Sequence, residues 1–103
     1  MGRYLCSELV VLRTVAGESV VNLEEIWTGG SVFESESPLE AGSNVELQCG
    51  GMRLHGVAAS VELHDFGCRV ETQFSPLTPW DPARFNPKHL LDLSLLGPGE
   101  AAD

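Results

Sequence analysis

Basic residues are scarce in this chain: six Lys and Arg stand against fifteen Asp and Glu, for a formal net charge of −9 over 103 residues. A field of that sign repels phosphate backbones and anionic headgroups, so a nucleic-acid polymer or a membrane surface is disfavoured as a partner. Long hydrophobic runs are missing as well. No stretch nears the ~18 consecutive apolar residues of a membrane helix, and the N-terminus lacks a basic, then apolar, then small-residue secretion signal. The expectation is a soluble cytoplasmic protein with no membrane insertion. Cysteine is sparse: Cys6, Cys49 and Cys68 are odd in number, lie far apart in or beside apolar strand-like segments, and form no CxxC pair, which fits reduced thiols.

Motifs of catalysis are absent too. There is no GxSxG turn, no HExxH and no glycine loop opening a helix to cradle phosphate, so neither an enzyme nor a cofactor is expected. The metal-capable residues are His55, His64, Asp65, Cys68 and His89. His64 and Cys68 lie four apart across a turn, but no second pair exists to complete a tetrahedral set, and no metal is expected.

What is present is a succession of short strands. At 43% hydrophobic content the chain has room for one core, and a domain of this size buries only about 60 to 65% of its unfolded surface. Glu8 to Val15 is rich in β-branched residues, and Ala16-Gly17-Glu18 then turns the chain into a return strand from Ser19 to Ile26, with Val21 and Leu23 on one face. Gly29-Gly30 breaks that strand, and Ser31 to Glu34 forms a third. Pro38 and Gly42 mark a loop in which Leu39 is expected to anchor into the core.

The second half alternates more cleanly. Val45, Leu47 and Cys49 share one side of Asn44 to Cys49, and Gly50-Gly51 has the composition of a hairpin turn. Beyond it Met52 and Leu54 occupy even positions while Val57, Ala59, Val61 and Leu63 occupy odd ones, a parity change that a β-bulge at Gly56 would accommodate. Asp65-Phe66-Gly67 turns the chain into Cys68 to Phe74. Six short antiparallel strands, each with one apolar face, bury that face and lose their edges by closing into an all-β barrel.

The composition then shifts. Ser75 to Pro87 carries Pro76, Pro79, Pro82 and Pro87, which excludes strands, and Asp81-Pro82 and Asn86-Pro87 each read as an N-cap followed by proline. The expected organisation is an N-terminal arm at 1–7, a barrel at 8–74, a Pro-rich segment with a short C-terminal helix at 75–96 packed on the barrel, and a disordered tail at 97–103. The helix is placed from Pro87 to Leu96. Trp80, Phe85, Leu90 and Leu91 either pack this segment onto the barrel or form an exposed apolar patch for a partner.

Six strands, the corner from Asn22 to Phe33 and a C-terminal helix together resemble the PilZ domain family, bacterial barrels many of which bind cyclic di-GMP. The resemblance spans roughly residues 3 to 96. In that family an RxxxR stretch precedes the first strand, and a DxSxxG or NxSxxG stretch lies where the second strand turns into the third. Glu25-Ile26-Trp27-Thr28-Gly29-Gly30 falls on the second motif by position, with Gly30 matching, Glu25 in place of Asp or Asn, and Trp27 in place of Ser. Pro38 to Leu47 resembles the family's loop into its fourth strand. Arg3-Tyr4-Leu5-Cys6-Ser7 is the candidate for the arginine motif, and it supplies Arg3 but has Ser7 where the second arginine belongs.

The resemblance therefore implies a degenerate ligand site at Arg3, Glu25, Trp27 and Gly30. Arginine meets dinucleotide phosphates and guanine faces by bidentate bonding and stacking, and losing one charged contact costs ~1.5 to 3 kcal/mol. Family members with degenerate motifs work through protein contacts. The leading expectation is a non-catalytic signalling or adaptor domain with a protein partner. The alternative is a cyclic di-GMP receptor using Arg3 and the Glu25 to Gly30 corner.

Overall fold

The structure, a computed structural model, describes residues 2–92. Seven strands form in chain order: β1 (Arg3–Thr14), β2 (Gly17–Trp27), β3 (Gly30–Ser35), β4 (Asn44–Cys49), β5 (Met52–His64), β6 (Gly67–Phe74) and the short β7 (Leu91–Asp92). The sheet order is β2-β3-β6-β5-β4-β1-β7, and a β1–β2 pairing closes the first six into an antiparallel barrel. The six-stranded all-β barrel expected from the alternation is the observed fold.

Alternation explains the core. Val10 and Leu12 of β1, Leu47 and Cys49 of β4, and Val70 of β6 point inward and are buried, as are Leu23 and Phe33. Leu39 packs against this cluster from the loop before β4, as its position between Pro38 and Gly42 suggested. The hairpins close on two-residue loops at Val15-Ala16, Gly50-Gly51 and Asp65-Phe66, where partners such as Cys49 and Met52 are directly opposed.

The bulge lies elsewhere than Gly56. That glycine sits in unbroken register opposite Val45 on β4 and Phe74 on β6, and the shift falls between Ala58 and Ser60. The inward face therefore runs through Met52, Leu54 and Ala58 before passing to Val61, and the extra residue is the exposed Ala59. Gly56 serves a different purpose: a Cβ there would collide with the Gln73 carbonyl and lie 3.0 Å from the Phe74 Cα. Close approach of β6, rather than bulge geometry, requires the glycine.

Strand β1 begins at Arg3, so residues 3–7 belong to the barrel rather than to an arm. Arg3, Tyr4 and Leu5 pair with Trp27, Ile26 and Glu25 of β2 before the register shifts between Leu5 and Glu8, and Tyr4 and Leu5 pair on the other side with Asp92 and Leu91. This second pairing exists because β4 meets β1 only at Val11, Leu12 and Arg13, which leaves the N-terminal half of that edge open. The Ser7 N–H donates to the Lys88 carbonyl at 3.1 Å, and the Lys88 N–H donates to Glu8 Oε1 at 2.8 Å.

No helix forms among the described residues of the C-terminal segment. Asp81 does cap a turn, its carboxylate accepting the Ala83 N–H at 3.0 Å and its carbonyl the N–H groups of Arg84 and Phe85, but the turn is not continued. Leu91 and Asp92, expected within a helix, extend as β7 because the open β1 edge takes their backbone bonds, and His89 at φ 59 redirects the chain just before. Residues 93–96 of the expected helix and the expected tail at 97–103 lie outside the described residues. Trp80 is 3% exposed, stacks edge-on to Tyr4 with ring centroids 5.5 Å apart, and donates its indole N–H to the Phe85 carbonyl at 2.9 Å.

Gly56→Ala is expected to lower unfolding free energy by about 1 to 3 kcal/mol, because the methyl meets backbone that cannot step aside. Gly51→Ala, whose added Cβ meets nothing within 4 Å, should stay within about 0.5 kcal/mol of the parent in urea unfolding.

Candidate functional site

A bulge builds the corner. The β2–β3 register shifts between Leu23 and Glu25, so Glu24 is an extra residue and the inward face passes from Leu23 to Ile26. Strict alternation would put Glu24 and Glu25 on opposite faces. Here both carboxylates reach Arg69 of β6, which lies across β3 in direct register with Glu34. Arg69 Nη1 bonds Glu24 Oε1 and lies 3.6 Å from Glu34 Oε2, while its Nη2 is 3.1 Å from Glu25 Oε2.

Arg3 completes the cluster from the other side. Its Nε donates to Glu25 Oε1 at 2.8 Å, its Nη2 is 3.9 Å from Glu71 Oε1, and its guanidinium carbon stands 4.0 Å from the centroid of the Trp27 ring. The indole lies across Gly30: a Cβ at that position would come within 2.7 Å of the ring and run into the Thr72 carbonyl. Gly30 is therefore needed both for the ring to lie flat and for β3 to approach β6. Behind it the buried Ser31 and Thr72 hydroxyls bond each other at 2.6 Å. At the far end of the cluster His64 Nε2 meets Glu34 Oε1 at 2.6 Å.

The electrostatics are self-compensated and slightly acidic. Two guanidinium charges, Arg3 and Arg69, face four carboxylates, Glu24, Glu25, Glu34 and Glu71, so two negative charges remain. For Arg69, burial pulls the guanidinium pKa down, but the hydrogen bond to Glu24 and the charges of Glu24, Glu25 and Glu34 outweigh it and raise the net value. Both guanidinium groups are thus committed to carboxylates of the same chain. A phosphate approaching Arg3 or Arg69 meets Glu25, which is only 14% exposed and bonded on both oxygens.

The structure brings all four expected corner residues, Arg3, Glu25, Trp27 and Gly30, into one cluster. Ser7 stays apart from it, with its hydroxyl 3.5 Å from Asn22 Oδ1. The residues missed are Arg69, Glu24, Glu34 and Glu71. Arg69 and Glu71 are legible as the solvent face of the last barrel strand, but nothing in the sequence puts β6 beside β3. Of the two alternatives for Trp80, Phe85, Leu90 and Leu91, packing onto the barrel is the one observed: Trp80 and Phe85 are buried, Leu90 packs against the core, and of the four only Leu91 is exposed, at 42%. Their packing seats the C-terminal segment against the core.

The thiols lie in or against the core. Burial, reinforced by the charge of Glu8, pushes Cys6 and Cys49 up to about 12, with further contributions from Glu25 and Glu24 at Cys6 and from Cys6 at Cys49. Cys68 is fully buried with its Sγ 3.5 Å from the Ser37 carbonyl, while His64 points outward to Glu34. The His64 and Cys68 pair therefore lies on opposite sides of the sheet. Among the described residues no group of three or more His, Cys, Asp or Glu is arranged to hold a metal ion. No helix among them is long and apolar enough to cross a membrane.

Comparison with known proteins finds no matching family model, no similar curated protein and no matching solved structure.

At pH 8 a thiol of pKa about 12 is ionised about a thousandfold less than one at the usual value near 9. Native Cys6 and Cys49 should therefore alkylate with iodoacetamide at least about 100-fold more slowly than in the urea-unfolded chain, followed by mass spectrometry. Raised thiol pKa values in the fold also mean stability that is complete below the unfolded thiol pKa near 9 and is lost as pH rises toward about 12. Arg69→Met leaves Glu24, Glu25 and Glu34 facing one another. It should cost about 1 kcal/mol at low ionic strength, discounted for the side chain's partial exposure, and added salt should recover much of that in thermal unfolding.

Proposed function

We propose that this chain is a non-catalytic, PilZ-like signalling or adaptor domain of the cytoplasm that acts through protein contacts. The observation that carries the reading is the state of Arg3: its guanidinium is bonded to Glu25 and stacked on Trp27. In a cyclic dinucleotide receptor that guanidinium has to meet phosphate or guanine. Here the opposing carboxylate already occupies it, the second arginine of the motif is Ser7, and Arg69 is taken by three glutamates. Each lost charge-assisted contact is worth ~1.5 to 3 kcal/mol, and the corner's residual negative charge opposes an anionic ligand further.

The closed six-stranded barrel, with the corner at its β2–β3 turn, supports the family likeness. The C-terminal segment lies close by, since the Trp80 N–H bonds the Thr28 carbonyl at 3.0 Å. A competing reading, a cyclic di-GMP receptor using Arg3 and the Glu25 to Gly30 corner, draws on one feature. The half-exposed Arg3 on Trp27 presents a planar surface on which a base can stack.

Calorimetric titration separates the two. The parent protein should give no saturable heat with cyclic di-GMP, and a dissociation constant near or below micromolar overturns the adaptor reading. The triple variant Ser7→Arg, Glu25→Asp, Trp27→Ser removes the competing carboxylate reach and restores the motif. It should gain binding, and a folded variant that stays silent takes the PilZ assignment away.

A further inference from the structure

A shallow groove on the outer wall lies between Leu9 of β1, Val20 and Asn22 of β2, Glu34 to Glu36 at the end of β3, and His64 and Phe66 at the β5–β6 turn. Leu9 is 71%, Val20 60% and Phe66 86% exposed. The barrel gives these residues no reason to be apolar. Inward positions of the same two strands are already filled by Val10, Leu12, Val21 and Leu23, and a solvent-facing sheet surface ordinarily alternates to polar residues. Val11, directly opposite Val20, extends the apolar strip.

Phe66 is the least expected of them, because a two-residue hairpin loop favours Gly, Asn or Asp. The turn that carries it is fixed. The Phe66 N–H donates to His64 Nδ1 at 3.2 Å, and His64 Nε2 bonds Glu34 at 2.6 Å, tying the turn to β3. The Phe66 backbone is thus held beside the strip, and its side chain lines the groove.

Charge selects the occupant. Glu34 is already paired with His64 and Arg69, but the Glu36 and Asp65 carboxylates make no ion pair or hydrogen bond among the described residues. Glu36 lines the groove and Asp65 adjoins Phe66. A second copy, itself carrying −9, brings like charge onto this rim. We infer that the groove docks a basic segment of a partner protein, which seats an apolar side chain between Leu9, Val20 and Phe66 and sets Lys or Arg against Glu36 and Asp65. The inference rests on the protein-contact reading above and deepens it by giving the surface and the partner's chemistry.

The test is a nuclear magnetic resonance titration of the full chain with a short synthetic peptide alternating Lys and Leu, beside one alternating Glu and Leu. The Lys peptide should bind saturably, with amide shifts centred on Leu9, Val20, Glu36 and Phe66, and weaken as salt is added. Leu9→Ser and Phe66→Ser should each weaken it by about tenfold, and Glu36→Lys with Asp65→Lys should remove most of the salt dependence. Because these side chains are exposed the variants should fold, which their unbound spectra check. Absence of saturable binding, equal binding of the Glu peptide, or indifference to Phe66→Ser overturns the inference. So does concentration-dependent self-association that Phe66→Ser abolishes, which assigns the groove to a second copy. Shifts centred on the Arg3 and Trp27 corner remove the groove but leave the protein-contact reading standing, whereas cyclic di-GMP binding removes that reading.

Discussion

Closure of the sheet through β1 is the constraint on which the rest of this molecule depends. That strand pairs with β2 from Arg3 to Thr14, whereas β4 covers its other edge only from Val11 to Arg13. Backbone groups left without partners beside a packed core cost as much as lost hydrogen bonds, so the uncovered half of the edge has to be satisfied. The chain from Ser75 to Asp92 does so. Lys88 bonds Ser7 and Glu8, β7 pairs with Tyr4 and Leu5, and Trp80 and Phe85 fill the space between. The same closure sets Arg3 opposite Trp27. The corner is a consequence of where the barrel shuts.

At that corner the outcome is decided by competition for two guanidinium groups. An arginine with no carboxylate beside it is an anion site, because phosphate supplies the bidentate acceptor geometry it lacks. The Glu24 bulge brings two glutamates to one surface, and Glu25 spans Arg3 and Arg69 with its two oxygens. Each exposed pair contributes little to stability, from about 0 to 1 kcal/mol. Its larger effect is on the sign of the local field. The outer wall is left acidic from Glu71 through Glu34 to Glu36, and that wall adjoins the apolar strip of Leu9, Val20 and Phe66.

Much of the barrel was legible because it follows from neighbours in the chain. Val45, Leu47 and Cys49 alternate, Gly50-Gly51 turns, and Met52 and Leu54 resume, so the β4–β5 hairpin is read directly. Features that depend on a distant strand are not written in the local pattern. Arg3 to Ser7 looked like an arm because its polar and apolar residues carry no strong strand signal, and its partners lie at Trp27 and Leu91. Gly56 drew the bulge because glycine tolerates one, yet β6 needed that glycine for contact and the extra residue moved to Ala59. Leu91 carried the apolar spacing of a helix and became a strand because an edge was waiting for it.

The sequence by itself determined that six strands would close on one apolar face and that the thiols at Cys49 and Cys68 would lie inside. Tertiary structure alone decided that Arg3, Glu25, Trp27 and Gly30 meet, that Arg69 joins them, and that Trp80 and Phe85 are core rather than surface. The physical reason is one of range. Alternation and turn chemistry act between residues a few positions apart, so they are written along the chain. Ion pairs, bulges and close glycine contacts depend on which strands lie side by side, and that order exists only once the barrel has closed.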